Sequence, residues 1–170
     1  MKKGKVHICL RRCSVYCLRA ILPSTLSLSA NDWLGITFRL LLALIFGAII
    51  GLERQVRKKP AGLRTHMLVC LGSALFILIP LQIVTAQEGR EAISRVVQGI
   101  AAGIGFLGAG EIIRDSQQDS GLAQVRGLTS ASGIWVCAAL GVAAGCGLWQ
   151  MGLIGAVLSL VVLSVFKRFE

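Results

Sequence analysis

Five apolar runs follow one another along the chain, and each is long enough to cross a membrane as a helix. They occupy residues 33–52, 67–86, 96–113, 128–144 and 149–166. A membrane-spanning helix needs about 20 mostly apolar residues. The connections between the runs are short, so neighbouring helices must run antiparallel and no soluble domain is inserted between them. The pattern predicts an all-α polytopic membrane protein, in which five closely packed transmembrane helices form a domain over residues 31–170.

Composition supports this class and excludes others. Of the 170 residues, 55% are hydrophobic and 15% are charged, whereas soluble domains are about 45–50% apolar and about 25% charged. An ordinary soluble enzyme and a disordered chain are therefore excluded. No Ser/His or paired-Asp arrangement lies within the runs, so we expect no enzymatic activity. The net charge of +10 does not indicate nucleic-acid binding, because the basic residues follow the membrane topology and no aromatic residues are interleaved with them.

The distribution of Lys and Arg predicts the orientation. The segments 53–66 and 114–127 and the C-terminal tail lie on one side and carry nine basic residues, whereas the opposite side carries two. Basic residues are enriched in cytoplasmic loops. Residue 32 is therefore predicted to be periplasmic and the C-terminus cytoplasmic.

Residues 1–30 form a separate N-terminal extension with six basic residues and no acid. Three interpretations remain open: a weak extra span, a signal-like segment, or an unstructured extension from a misassigned start codon. All three leave Asn31 outside. Cys9, Cys13 and Cys17 recur every four residues near His7, but this spacing matches no common metal-ligand set. We therefore expect no cofactor; binding of Mg²⁺ is conceivable but has no clear ligand set.

Small residues recur at helical spacing within the runs. Lipid provides no hydrophobic drive for helix association, so close backbone approach at such positions favours packing. The third run has two stripes of small residues on nearly opposite sides, which predicts a central helix packed between partners. The alternative is a helix whose small residues leave room for an ion, a ligand or a sliding conformational change. A GxGxxG match at 103–108 lies mid-span with no preceding strand and is discarded. The predicted packing residues are Gly47, Gly51, Gly99, Gly103, Gly105, Gly108, Gly110, Gly141 and Gly145.

Polar residues cluster where the first and third runs end, beside the loops predicted to be cytoplasmic. Arg54 shares a helix face with Gly47 and Gly51, so it is a better candidate than its neighbours for a buried contact. Glu111 and Arg114 are spaced to pair on one face, although Glu111 is also a candidate for a cation or proton path. Arg39 is expected to extend outward to the membrane surface. The candidate polar face comprises Glu53, Arg54, Gln55, Arg64, Thr65, Glu111, Arg114, Arg126 and Thr129.

The end of the first apolar run and the end of the third also resemble each other. In each, a small-residue helix ends in an acid and an arginine, and a Gly-Leu turn opens the next helix, with Thr65 and Thr129 where an N-cap is useful. This suggests two helix-pair repeats plus one helix.

Four segments carry a resemblance to a known family: GLERQ (51–55), AGLRT (61–65), GIGFLGAG (103–110) and RGLT (126–129). In order and position they resemble the signature blocks of the MgtC/SapB family of bacterial inner-membrane proteins, over about residues 33–166. The resemblance implies a five-span inner-membrane protein linked to magnesium limitation, membrane energetics and virulence. Residues 1–30 have no counterpart there, Glu111 stands where an apolar residue is expected, and the chain ends without the C-terminal cytoplasmic domain of longer members.

Two functions follow. The first is a non-enzymatic regulator that contacts another membrane protein complex, or itself, within the lipid bilayer. The second is a transporter or channel for magnesium or another cation, which Glu53 and Glu111 would serve. Magnesium prefers near-octahedral oxygen ligands, and two membrane-edge acids, each followed closely by an arginine, make a poor site. The regulator is the preferred interpretation.

Overall fold

The computed structural model describes residues 32–83, 89–116 and 127–165. Within these ranges the chain forms five α-helices and no strand, which confirms the all-α prediction. They are α1 (Trp33–Val56), α2 (Leu63–Ile83), α3 (Gly89–Ser116), α4 (Leu128–Gly145) and α5 (Trp149–Val165). The interpretations of residues 1–30 lie outside the described residues.

Four of these helices, α1 to α4, are long and apolar enough to cross a membrane. Helix α5 is described over 17 residues, Trp149–Val165, which is about 26 Å at 1.5 Å per residue. Many large apolar side chains point away from the bundle, including Phe38, Phe76 and Phe106. Such an exposed apolar surface fits a lipid environment, because soluble proteins rarely expose so large an apolar area to water.

The ends of the helices follow ordinary capping rules. Asp32 caps α1 by accepting a hydrogen bond from the Gly35 backbone N–H at 3.0 Å. Helix α4 ends in a Schellman motif, in which Gly147 has a φ of 76°. The Leu148 and Gly147 N–H groups donate to the carbonyls of residues 143 and 144 at 2.8 and 2.9 Å. Only a glycine adopts this left-handed conformation without strain.

The N-caps expected at Thr65 and Thr129 are wrong. Both threonines are exposed and lie inside their helices. Instead, the side chain of Gln55 accepts from the Leu63 N–H at 3.3 Å, and Gly127, with a φ of 85°, precedes α4 without any side-chain cap. The Gly-Leu dipeptide starts each helix two or three residues earlier than a threonine cap would allow.

Helix α2 packs between α1 and α4. On one side, a Cβ atom added to Gly47 would lie 2.7 Å from both the carbonyl oxygen of His66 and the Cα of Met67. On the other side, a Cβ at Gly145 would lie 2.9 Å from the carbonyl oxygen of Ala74. Both distances are below van der Waals contact, so the backbones meet directly at these glycines. Helix α5 covers α1 and α4, with Gly152 against the ring of Phe46.

Helix α3 is peripheral, contrary to the prediction of a central helix. More than half of the apolar span in α4 is buried, but almost none of the span in α3. It contacts α4 and α2. The two stripes of small residues would let neighbouring helices approach α3 closely on two sides. Among the described helices, only one of those sides packs against a neighbour. The double stripe therefore did not indicate a central position.

Candidate functional site

Polar side chains from four helices come together at one end of the bundle, where α1 and α3 end and α2 and α4 begin. We call the residues Glu53, Arg54, His66, Glu111 and Ser130 the polar cluster. The turn 57–62 connects α1 to α2 at this end. The sequence prediction that both Gly-Leu segments lie at the same end of the bundle is confirmed by the contact between Arg54 and Ser130.

Arg54 connects the end of α1 to the start of α4. Its side chain is only 2% exposed, and its Nη2 donates a hydrogen bond to Oγ of Ser130 at 2.7 Å. The prediction that Arg54 is buried is confirmed. The reason is geometric, because Arg54 continues the face of α1 that Gly47 and Gly51 pack against α2. Its positive charge also lies in the last turn of α1, where a cation is favourable.

His66 is fully buried on the first turns of α2. Its Nδ1 lies 2.8 Å from the carbonyl oxygen of Gly62. A carbonyl oxygen can only accept, so Nδ1 carries the hydrogen, and Nε2 of the neutral ring is an acceptor. Nε2 faces α4, where a Cβ on Gly133 would lie 3.4 Å away. It has no hydrogen-bond partner among the described residues.

Two carboxylates complete the cluster. Glu53 forms an ion pair with Arg57 one turn further along α1. Glu111, on α3, is half-buried and lies close enough for its charge to act on both Arg54 and His66. The charged groups that act on the His66 ring are therefore Arg54, Glu53 and Glu111. This arrangement brings Glu111 to a site built mainly by the other three helices.

The hydrogen-bonding capacity left in the cluster is mostly acceptor capacity. The atoms without a hydrogen-bond partner in the described ranges include Nε2 of His66, Oε2 of Glu53 and Oε1 of Glu111, against Nε of Arg54 as a donor. These acceptor atoms can bind a proton or accept a hydrogen bond from a donor group. No three His, Cys, Asp or Glu side chains in the described part of the chain are grouped so that they could hold a metal ion.

The other candidate polar residues lie elsewhere or outside the description. Gln55 spans the turn to the Leu63 N–H but does not join the cluster. Arg64 and Thr65 are exposed on the outer side of α2. Thr129 is exposed and lines an apolar pocket of about 440 Å³ between α1, α4 and α5. The side chains of Arg114 and Arg126 lie outside the described residues.

The predicted packing glycines separate into two groups. Gly47, Gly51, Gly141 and Gly145 each face the backbone of a neighbouring helix, and Gly108 faces Ala131 at van der Waals distance. A Cβ added to any of the other four would meet no atom of the described chain within 4 Å. Their role in packing stays a prediction. These four are Gly99, Gly103, Gly105 and Gly110.

At the opposite end of the bundle, Arg39 does not extend outward as expected. It is only 7% exposed, and its Nη1 donates to the carbonyl oxygen of Gly145 at 2.8 Å. The cation therefore satisfies a terminal carbonyl of α4 and faces the negative end of that helix. Cys146 is buried beside it in the following turn, and burial raises the pKa of its thiol.

Two members of the cluster were missed at the sequence level. Neither His66 nor Ser130 is among the candidate polar residues predicted from the sequence. A signal for His66 was present, because it falls immediately after the AGLRT segment, one helical turn beyond Gly62. No sequence pattern identified Ser130, whose role depends on the distance between α1 and α4.

Comparison with known proteins identifies the family of the chain. Residues 40–170 match the model of the MgtC family. The chain is 52% identical over 147 residues to protein SrpB of Synechococcus elongatus, covering 84% of this chain and 81% of SrpB.

Two further relatives are longer than the matched segment. The putative magnesium transporter YhiD of Escherichia coli K12 is 41% identical over 134 residues, covering 76% of this chain and 60% of YhiD. Protein MgtC of Salmonella typhimurium is 41% identical over 121 residues, covering 71% of this chain and 48% of MgtC. No solved structure matches the chain significantly. The chain belongs to the MgtC family.

Proposed function

We propose that this protein is a non-enzymatic regulator in the bacterial inner membrane, connected with magnesium homeostasis and adaptation to low magnesium. Its family and the relatives named MgtC and magnesium transporter YhiD support the link with magnesium. The chain spans about half of MgtC, so the activity of that whole protein is itself part of the proposal. Membrane energetics and virulence are the wider processes in which such a regulator would act.

The proposal rests on the contacts that the buried polar groups make inside the bundle. Arg54 joins α1 to α4 through Ser130, and Glu53 is paired with Arg57 within α1. Arg54 is thereby engaged in holding α1 and α4 together at one end of the bundle. The surface that remains consists of apolar helix faces and an exposed basic turn. Such a surface suits contact with lipid or with another membrane protein.

A complementation experiment tests this function. A strain lacking the gene should grow poorly in low-magnesium medium, and the wild-type chain should restore growth and membrane potential. We expect Arg54→Gln to restore neither, because it removes the charged contact between α1 and α4. Arg95→Gln removes the same charge from an exposed position at the other end of α3 and should behave as wild type. Unimpaired growth of the deletion strain would contradict a regulatory role in magnesium limitation.

A cation transporter is the second candidate, favoured by the name of the YhiD relative and by the two carboxylates of the polar cluster. Purified protein in liposomes loaded with a magnesium-sensitive dye would distinguish the two functions. We expect no protein-dependent magnesium flux. Flux that Glu111→Gln abolishes, while Glu91→Gln at the opposite end of α3 retains it, would establish transport instead.

The proposed orientation places the turn 57–62 in the cytoplasm and the turn 146–148 in the periplasm. Single cysteines at Lys59 and Gln150, introduced after Cys9, Cys13 and Cys17 are replaced by Ser, would report it. The three described native cysteines are buried and should not react. We expect an impermeant thiol reagent to label Gln150→Cys in cells with a permeable outer membrane, and Lys59→Cys only after the inner membrane is opened. The reverse pattern would overturn the orientation.

A further inference from the structure

An apolar groove of about 630 Å³ runs between α2 and α3 on the outer surface of the bundle. On α2 it extends from Leu68 to Phe76, and on α3 from Val96 to Leu107. At 1.5 Å per residue these walls are about 12 and 17 Å long. The hydrocarbon layer of a bilayer is about 30 Å thick, so one leaflet is about 15 Å deep. The groove therefore has the length of a single leaflet.

The groove exists because small residues line it on both walls. Gly72 of α2 and Gly99 and Gly103 of α3 contribute to it, and a Cβ at any of the three would meet no atom of the described chain within 4 Å. The glycines therefore leave space along both walls of the groove.

One end of the groove is positively charged. Leu68 lies one turn beyond Arg64 on the same face of α2, and Arg64, Lys58 and Lys59 are all exposed at this end. Arg57 is already paired with Glu53 and does not contribute. Glu111, one turn beyond Leu107 on α3, offsets one of the three positive charges and leaves an excess of two. The other end of α3 presents exposed Glu91 and Arg95, whose charges cancel. An anion is therefore favoured at the end near the turn 57–62.

From these dimensions and charges we propose that the groove binds one acyl chain of an anionic phospholipid, taken from the leaflet that contacts the turn 57–62. The phosphate lies against Arg64, with Lys58 and Lys59 beside it, and the chain runs along the glycines between α2 and α3. Each basic residue near a membrane surface attracts anionic lipid by about 1 kcal/mol, which is about a fivefold preference. This lipid site is independent of the proposed regulatory role.

Quenching of tryptophan fluorescence by brominated lipids tests the site in the full-length protein. Trp33, Trp135 and Trp149 are each about half exposed or more and are first replaced by Phe. Phe76→Trp then places the only indole in the groove, and Ile45→Trp places a reference indole at a similar depth on the exposed face of α1. The vesicles contain phosphatidylcholine with either brominated phosphatidylglycerol or brominated phosphatidylcholine.

We expect the groove indole to be quenched several-fold more strongly by brominated phosphatidylglycerol, whereas the reference indole shows little preference. Arg64→Gln should reduce that preference about fivefold, and Arg95→Gln should leave it unchanged. Gly103→Leu should abolish it by filling the groove. Gly105→Leu is the matched control, because it is equally free of steric conflict but does not line the groove.

Two results would overturn the proposal. Equal quenching of the groove indole by both lipids would mean that the basic end selects no headgroup. Weak quenching by both, with normal quenching of the reference indole, would mean that a protein segment, from a second copy or another partner, covers the groove. A lipid stoichiometry from native mass spectrometry provides a second measurement. Wild type should retain one phosphatidylglycerol, and Gly103→Leu should retain none.

Discussion

The packing of α1 against α2 predicts opposite effects for the same substitution at two glycines. Replacing a mid-helix glycine by alanine favours the helix by about 1 kcal/mol. At Gly103 nothing opposes this gain, because the new Cβ meets no atom of the described chain within 4 Å. At Gly47 the new Cβ would lie 2.7 Å from both the His66 carbonyl oxygen and the Met67 Cα, about 1 Å inside normal carbon contact.

The difference between the two variants isolates the cost of this close approach. Overpacking of this kind costs about 1–3 kcal/mol, and here the obstacle is backbone that cannot rotate away. We therefore expect Gly47→Ala to lower the free energy of unfolding by up to about 2 kcal/mol after the helix gain is subtracted. Gly103→Ala should raise it by up to about 1 kcal/mol.

Reversible unfolding in mixed micelles by increasing SDS, followed by far-ultraviolet circular dichroism, would measure both values under one condition. Equal shifts of the same sign at Gly47 and Gly103 would refute the reasoning. That result would mean that the backbones of α1 and α2 do not meet at Gly47, and that the glycine content of the spans reflects helix flexibility instead.

Two further predictions concern the buried cations. Ser130→Ala should lower the free energy of unfolding by about 1–3 kcal/mol, because it leaves a charged donor of Arg54 without its acceptor. The control is Ser132→Ala, because the Ser132 hydroxyl donates to the Leu128 carbonyl within its own helix. In the same SDS titration its free energy of unfolding should stay within about 0.5 kcal/mol of the wild-type value. Arg39→Gln should increase hydrogen exchange at the end of α4 and in residues 146–148, because it removes the donor to the Gly145 carbonyl. Mass spectrometry would detect this, and unchanged exchange there would show that Arg39 does not stabilise this helix end.

The apolar runs were sufficient to predict the five helices, since the cost of exposing backbone polar groups to lipid leaves helices as the natural solution for such segments. The predicted ends were less accurate. Helix α1 continues four residues beyond the predicted end and α3 begins seven residues before the predicted start. Both additions are polar turns that extend the helix past its apolar run. Hydropathy locates the buried part of a span and does not locate the last helical turn.

The arrangement of the helices could not be read from the glycine motifs. Helix α2 packs between α1 and α4 although the packing motifs lie on those neighbours, because its backbone at His66, Cys70 and Ala74 contacts the glycines of α1 and α4. A glycine motif shows that one surface permits close approach. It does not show which surface approaches, and that choice depends on the complementarity of whole helix faces. The same limit explains why Ser130 and the inward position of Arg39 were missed.

The basic residues at the end of the bundle near the turn 57–62 belong to two physically different groups, although a charge count treats them alike. Arg54 lies on the face that glycine packing presses against α2, so its charge is buried and committed to a contact between helices. Arg64, ten residues later on α2, is exposed, and its charge is available to lipid. A buried cation with a fixed partner loses much when it is removed, whereas an exposed one acts mainly through the surface potential of the membrane. Stability and recognition at this end therefore depend on separate residues, and the GLERQ and AGLRT segments contribute one kind each.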